Sequence, residues 1–316
     1  MRILVTGGAG FIGSNLVRYL LQRGVQVRVL DNLTIGKERI AGLDLDLIEG
    51  DIRDPQCVSM ALDKCDGVVH LAAQSGVQQS LEDPLKDCQI NIVGLLTVLE
   101  ECRKLQSTRL SEGENRNFRF VMASSNASLG RHEPPVDEKS TPLPLSPYGA
   151  SKLAGEGYSL AYQGSFGIDT VVLRFSNVYG PFSTHKESVI AKFIKDLRQH
   201  GQLFIDGDGL QTRDFIHTDD LCAAIYQSLR QPISGEVIHI SSGKETSILE
   251  LAETLEGVTG ISADRTFGAC RTGDIRRNYA QIEKAIRVLK WSPQVVLEEG
   301  LKTLWRWYEK LEGNGS

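Results

Sequence analysis

No two cysteines of this chain stand at metal-ligand or redox spacing. The six (Cys57, Cys65, Cys88, Cys102, Cys222 and Cys270) are scattered, with no C-x-x-C pair. That argues against a disulfide frame or thiolate metal site and leaves the reduced thiols of a cytosolic protein as the expectation. The six histidines include no H-E-x-x-H or similar ligand spacing, so metal chemistry is not expected. No apolar run approaches the ~18 residues of a membrane span. Basic runs are absent and the net charge is −5, which gives no reason to expect nucleic acid or a membrane surface as partner. Internal repeats and low-complexity tracts are also missing. The first residues enter an apolar strand, without a signal peptide's charged segment, apolar core and cleavage site, so a cytoplasmic location is expected. What is present is 316 residues with 41% hydrophobic content, enough for one large α/β domain or two smaller ones.

Against that plain background the glycines at the start stand out. Gly8, Gly10 and Gly13 fit G-x-G-x-x-G, and Gly7, Gly10 and Gly13 fit the related G-x-x-G-x-x-G. Either spacing turns a strand sharply, lets backbone approach a pyrophosphate and packs the following helix close to the sheet. The context agrees. Ile3, Leu4 and Val5 make a buried strand, and Leu16, Val17, Leu20 and Leu21 give the next helix an apolar face. A second strand over residues 25–30 ends in Asp31, near the ~20-residue offset of a ribose-binding carboxylate. Asp31 accepts hydrogen bonds from a free 2′-hydroxyl and repels a 2′-phosphate. Arg28 lies earlier on that strand and Asn32 is neutral, so NAD is the expected cofactor.

Strands are expected at 45–49, 67–71, 118–122 and 170–173, alternating with helices at 56–62, 90–105 and 148–162. This is the pattern of an α/β fold, a doubly wound parallel sheet of Rossmann type. Its chemistry belongs in the loops after Val5, Leu30, Leu71, Met122 and Leu173. The polar stretch 107–117 is expected as an exposed loop, and 132–147, with five prolines, as irregular chain. Past residue 180 come helices at 189–200, 218–230, 247–259, 282–289 and 297–311, with a short strand at 203–205. The expected division is a dinucleotide-binding domain over 1–180, to which some later segments return, and a smaller mixed α/β substrate lobe over 181–316.

Ser146 suits a helix N-cap and Pro147 a first turn, which places Tyr148 and Lys152 four residues apart on one helix face. An ammonium there favours the phenolate and draws the tyrosine's pKa toward working pH. Ser124 and Ser125 follow the strand whose end should lie beside a nicotinamide. A serine hydroxyl next to the phenol, here Ser125, can hold a substrate oxygen and relay its proton.

With these residues in place, the chain resembles the extended short-chain dehydrogenases/reductases, in the branch acting on nucleotide-diphosphate sugars. TGGAGFIG, DNLTIGK, GDIRD, HLAAQ, SSNASLG, SPYGASK, LRFSNVYGP, GDGLQTRDFIHTDDL, RTGD and WSPQVVLEEGL occur in that family's order over nearly the whole length. The resemblance implies Ser125, Tyr148 and Lys152 as catalytic residues. It implies Gly7, Gly10, Phe11, Ile12, Gly13, Asp31, Asn32, Leu71, Gln74 and Phe175 around NAD. Asp51 and Ile52 flank the adenine, Ala72 and Ala73 line the groove, Asn91 supports it, and Tyr148 and Lys152 face the nicotinamide ribose. Ser125, Asn126, Tyr148, Asn177, Val189, Arg213, Arg271 and Asn278 are the implied substrate contacts. The two arginines make chemical sense, because a guanidinium forks onto phosphate oxygens. A homodimer through the helices near 90–105 and 148–162 is implied as well.

The family's chemistry opens with oxidation at the sugar's C4. Its 4,6-dehydratases carry an Asp-Glu pair just after the catalytic Ser/Thr, where this chain has Asn126 and Ala127. Its decarboxylases usually carry glutamate at the place of Ala127. Neither residue here can act as acid or base. The expected activity is therefore NAD-dependent 4-epimerisation of UDP-glucose and UDP-galactose, with another sugar-modifying reaction of the family, or NAD sensing without catalysis, as alternatives. Asn278 falls at the position that gates the sugar's C2 substituent, and its small amide predicts room for N-acetylamino forms. Two departures are visible. Leu129 replaces a tyrosine, which is expected to alter the sugar pocket, and Asp206 replaces an aromatic that packs on the base.

Overall fold

Ile3 and Val5 point to one side of the first strand and Leu4 to the other, and each side finds its own core. The computed structural model describes residues 1–114, 118–270 and 275–313. Its first part runs β1 (Arg2–Thr6), α1 (Phe11–Leu21), β2 (Gln26–Asp31), β3 (Asp46–Glu49), α2 (Pro55–Leu62), β4 (Gly67–His70), α3 (Val77–Glu82), α4 (Pro84–Cys88), α5 (Gly94–Ser111), β5 (Arg119–Ser125), α6 (Pro147–Phe166) and β6 (Asp169–Phe175). Then come β7 (Asn177–Tyr179), α7 (Val189–His200), β8 (Gln202–Asp206), β9 (Thr212–Arg213), β10 (Phe215–His217), α8 (Thr218–Arg230), β11 (Glu236–Ile240), β12 (Thr246–Ser247), α9 (Ile248–Thr259), β13 (Asp264–Gly268), α10 (Glu283–Leu289) and α11 (Leu297–Gly313).

Seven parallel strands form the main sheet in the order β11-β6-β5-β4-β1-β2-β3. Both faces are covered, as buried parallel strands require. Leu16, Val17 and Leu20 of α1 and Leu221, Ala224 and Ile225 of α8 cover one face; Val58, Leu95, Val98 and Leu99 from α2 and α5 cover the other. The strand order reverses between β1 and β4, and the crevice beyond their carboxyl ends is where such sheets bind ligands. The C-terminal segments build a separate core from α7, β8, α9 and α11, around Ile190, Phe193, Leu203, Leu251, Leu255, Leu301 and Leu304. The two regions interleave, because β11 joins the sheet and α8 packs on α1 although both lie past residue 180.

The stretch expected as a loop from residue 107 is helical through Ser111. Its hydroxyls bond back to the helix, Thr108 to the Lys104 carbonyl and Ser111 to the Thr108 carbonyl. Buried Gln106 also docks it, donating to the Gly167 carbonyl and accepting from the Phe118 amide. The helix expected from residue 90 begins instead with a wider π-type turn over Gln89–Val93 before α5. Helices α3 and α4 are additions to the elements expected from sequence. Leu129 packs with Val136 and Ala280 in a small buried cluster. It fastens the proline-rich segment to the chain near Ala280, and it does not line the cleft at the carboxyl ends of the strands.

Candidate active site

The chain leaves β1 through Gly7, whose φ of +71° suits glycine. A Cβ on Gly13 would lie 2.1 Å from the Gly7 carbonyl oxygen, so α1 can pack this close only without a side chain there. Gly10 caps α1 with no side-chain hydrogen bond, and no acidic residue stands in the first turn. The positive end of α1 is thus open to an anion. At the end of β2, the Asp31 carboxylate accepts the Ala9 amide and the Leu33 amide, each at 2.9 Å. Each oxygen takes one of these bonds and keeps acceptor capacity for a ribose hydroxyl. Burial pushes the Asp31 carboxyl above its usual range. Arg28 is engaged elsewhere, on Asp46 at 2.6 Å and on the carbonyls of Met60, Ala61 and Asp63. A glycine cradle, an open helix terminus and a ribose-ready carboxylate together fit a dinucleotide with a free 2′-hydroxyl.

This turn is one end of a cleft of about 1210 Å³. Gly7, Gly10, Phe11, Ile12, Gly13, Asp31 and Asn32 line it, as do Asp51, Ile52, Leu71, Ala72, Ala73, Gln74 and Phe175. Asn91 lies behind the wall, 5% exposed. Its oxygen accepts the Gln74 amide at 2.8 Å, and its amide nitrogen faces the Gln74 carbonyl, Ser151 and Asp87. It therefore shapes the wall from the back.

Ser146 caps α6 by accepting the Gly149 amide at 3.1 Å, with Pro147 in the first turn. That presents Tyr148 and Lys152 to the cleft. The Tyr148 side chain hydrogen bonds to Ser125. The Lys152 ammonium lies 5.8 Å from the centre of the Tyr148 ring and donates to the Ala123 carbonyl at 3.0 Å. Burial pushes the phenol up to about 12, opposed by the Ser125 bond and reinforced by Asp87. Burial also draws Lys152 down to about 8, against the pull of Asp87 and Glu156. The phenol depression expected from Lys152 is therefore not met in the protein alone, where desolvation dominates and Ser125 supplies the opposing pull.

The two neighbouring serines divide their work. Ser124 donates to Glu156 at 2.5 Å, beside Ser128 and the bidentate Arg174 on the same buried carboxylate. Ser125 faces Tyr148, so it reaches the cleft through the phenol without forming its wall. Asn126, expected at the substrate, is 7% exposed and lies off the cleft wall. Its oxygen pairs with His239 Nδ1 at 2.9 Å and its amide donates to Ser176 at 3.0 Å, so β11 and the chain after β6 hold it inward.

At the other end of the cleft, Asn177, Val189 and Arg213 all line the wall. The Asn177 amide donates to the Asp214 carbonyl, and Arg213 donates to the carbonyls of Thr212 and Ile275. Arg271 lies outside the described residues. Asn278 is half-buried and does not form the cleft wall; its segment is held against Val136 by bonds on both sides of Ala280. Phe204 is a wall residue missed in the sequence. It is 42% exposed, with the Lys192 ammonium 4.6 Å above its ring. The signal was the alternation of β8, in which Leu203 and Ile205 are buried while Phe204 is exposed and Asp206 half-buried at the cleft wall. Gly268 makes room for that ring, since a Cβ there would come within 2.5 Å of it. The segment after β7 spans this region, with His185 meeting Arg39 at 3.0 Å and Lys186 donating to Ser75 at 3.0 Å.

The model of the NAD dependent epimerase/dehydratase family matches residues 3–241. The UDP-glucose 4-epimerase of Mycolicibacterium smegmatis is 35% identical over 95% of this chain and 96% of its own length. The dTDP-glucose 4,6-dehydratase of Streptomyces niveus is 34% identical over 98% of this chain and 93% of its own length. Among solved structures, the Thermotoga maritima UDP-glucose 4-epimerase with UDP-glucose superposes with a TM-score of 0.91 at 33% identity, covering 99% of this chain and all of that one. The chain belongs to the NAD dependent epimerase/dehydratase family.

Proposed function

We propose that this family member is an NAD-dependent 4-epimerase of UDP-hexoses. Identity to an epimerase and to a dehydratase is nearly equal, so the site must decide between them. The observation that carries the reading lies in the two residues after Ser125. Asn126 is locked inward on His239 and Ser176, and Ala127 has no acid–base group. Elimination of water needs a positioned acid and base beyond the tyrosine, and this loop supplies neither.

Epimerisation asks less of the protein. Tyr148, held by Ser125, takes the proton of the C4 hydroxyl and gives it back; Ser125 steadies the sugar oxygen, and the Lys152 ammonium stands 5.8 Å from the centre of the phenol ring. Lys152 and Asp31 hold the two riboses of the cofactor, with the pyrophosphate at the α1 terminus. NAD held by these residues would accept the C4 hydride and, once reduced, would return it to the opposite face of the 4-keto sugar. Arg213 and Asn177 grip the nucleotide and diphosphate, Phe204 offers a stacking face to the base, and the hexose is left free to turn. The contacts Arg39–His185 and Lys186–Ser75 reach across the cleft and favour retention of the cofactor between turnovers.

Exposed Leu81, Leu85, Val93 and Tyr158 on α3, α4, α6 and the turn before α5 support a homodimer through these helices. Among the described residues no helix is long and apolar enough to cross a membrane, and all six cysteines are free, in keeping with a cytoplasmic enzyme. The test is incubation with UDP-glucose, UDP-galactose, their N-acetylamino forms, UDP-glucuronate and dTDP-glucose, with no reductant added and products read by NMR. C4 epimers and co-purifying nicotinamide are expected. A 4-keto-6-deoxy product, or turnover that requires added NADH, would overturn the reading.

A further inference from the structure

One buried carboxylate beside the catalytic pair has no part in the proposed reaction. Asp87, on the short helix α4, is 1% exposed. Its Oδ1 accepts the Asn91 amide at 2.9 Å, and the same amide nitrogen donates to the hydroxyl of Ser151, the residue before Lys152, at 3.2 Å. Asn91 extends the link by accepting the Gln74 amide at 2.8 Å. Asp87 thus ties the start of α6 to the loop that walls the cofactor groove.

Lys152 is 7% exposed, and its ammonium donates to a neutral carbonyl. The titratable groups that face it are Asp87 from α4, Glu156 and Tyr148 from its own helix, and His70 from β4. Glu156 already neutralises Arg174 through two hydrogen bonds, at 2.9 and 2.7 Å, and accepts Ser124 and Ser128 as well. His70 is fully enclosed, held in its neutral form and bonded to Thr6. Of the two carboxylates near Lys152 among the described residues, Asp87 is the one not engaged by a described arginine. A buried ammonium without an anion tends to lose its proton.

We propose that Asp87 is a positioning residue of the active site: its buried carboxylate keeps the Lys152 ammonium charged and, through Ser151 and Asn91, fixes the catalytic helix against the cofactor loop. Removing a negative charge stabilises the deprotonated form of every group it faces. In Asp87→Asn both Lys152 and Tyr148 therefore titrate at lower pH, and both limbs of the pH–rate profile move to the acid side together. The expected displacement is about one pH unit. A purely structural role would lower the plateau and leave the limbs in place.

The experiment follows the Lys152 side chain by NMR in ¹³C-lysine-labelled protein, with Lys152→Met identifying its resonance, alongside pH–rate profiles. Wild type, Asp87→Asn and the charge-conserving Asp87→Glu are compared, and Asp87→Ser replaces the asparagine variant if near-UV circular dichroism shows that one to be misfolded. Expected are an acid shift of Lys152 in the neutral variants and a wild-type titration in Asp87→Glu. An unchanged Lys152 titration in a folded neutral variant overturns the proposal. The proposal rests on the epimerase reading only for its rate profile. A shifted lysine in a protein that epimerises none of the UDP-sugars would sustain the electrostatic role and reject the reaction.

Discussion

The two halves of the cleft are built by different means. The cofactor half is a matter of backbone: Gly13 lies where a Cβ would strike the Gly7 carbonyl at 2.1 Å, and Asp31 is fixed by two main-chain amides. The nucleotide-sugar half is a matter of side chains. Arg213, Asn177, Val189 and Phe204 arrive from β9, β7, α7 and β8, on short strand pairs and a helix start outside the main sheet. Backbone geometry tolerates no substitute, so the first half is constrained to one ligand class. Side chains on small strand pairs can be exchanged singly, so the second half can be retuned without disturbing the sheet.

Tyr148 stands where the halves meet, and its loss should separate chemistry from binding most sharply. Tyr148→Phe removes the proton carrier and keeps the ring, so kcat should fall by ~10²–10⁴-fold. Nicotinamide should still co-purify, because the glycine turn and Asp31 are untouched. Turnover close to wild type in a folded Tyr148→Phe protein would dismiss the tyrosine as the acid–base group. Within the cofactor half, Asp31→Ala should cost NAD about 10–100-fold in affinity, the worth of hydrogen bonds to a charged acceptor. NADP should lose little, since the repulsion disappears with the carboxylate. Calorimetry on cofactor-free protein decides this, and equal affinity of the wild type for both cofactors would refute it.

The same contrast governs what is legible in the sequence alone. Gly7, Gly10 and Gly13, Asp31, and the Tyr148–Lys152 pair can be read there because each pattern is local and its geometry follows from one turn or one helix. Asn126 is misplaced by such a reading because its partner His239 lies 113 residues away, on a strand whose sequence, EVIHI, contains a histidine that is fully buried. Leu129 reads as a sugar-pocket residue because the contacts that bury it, Val136 and Ala280, come from the proline-rich segment and from the far C-terminal part. Asp87 gives no signal at all, being an ordinary residue on a short polar helix. Its surroundings exist only once α4, α6 and the Gln74 loop have come together.

The nucleotide-sugar half should answer more gently. Phe204→Ala removes an exposed aromatic face from the cleft wall, and stacking of a base on such a ring is worth about 1–3 kcal/mol. KM for the UDP-sugar should therefore rise about tenfold while kcat changes much less, because the ring carries no acid–base group. An unchanged KM would leave Asp206, on the same face of β8, as the side chain to test for base recognition.

The smallest effect is expected at Asn278. The family resemblance sets the gate beside the sugar's C2 substituent at this residue, yet it is half-buried and lies off the wall formed by the described residues. The main-chain bonds from Val136 to Tyr279 and from Gln281 to Val136 hold its segment in that place. A tyrosine at 278 then has no direct line to an acetamido group, and the ratio of kcat/KM for UDP-N-acetylglucosamine to that for UDP-glucose should shift by no more than about threefold, under 1 kcal/mol. The same substrate panel, run on wild type and Asn278→Tyr, measures it. A selective loss of the N-acetylamino sugar by tenfold or more would put Asn278 at the C2 pocket, and the sugar half would then owe its breadth to one side chain, as the cofactor half owes its fit to one glycine turn.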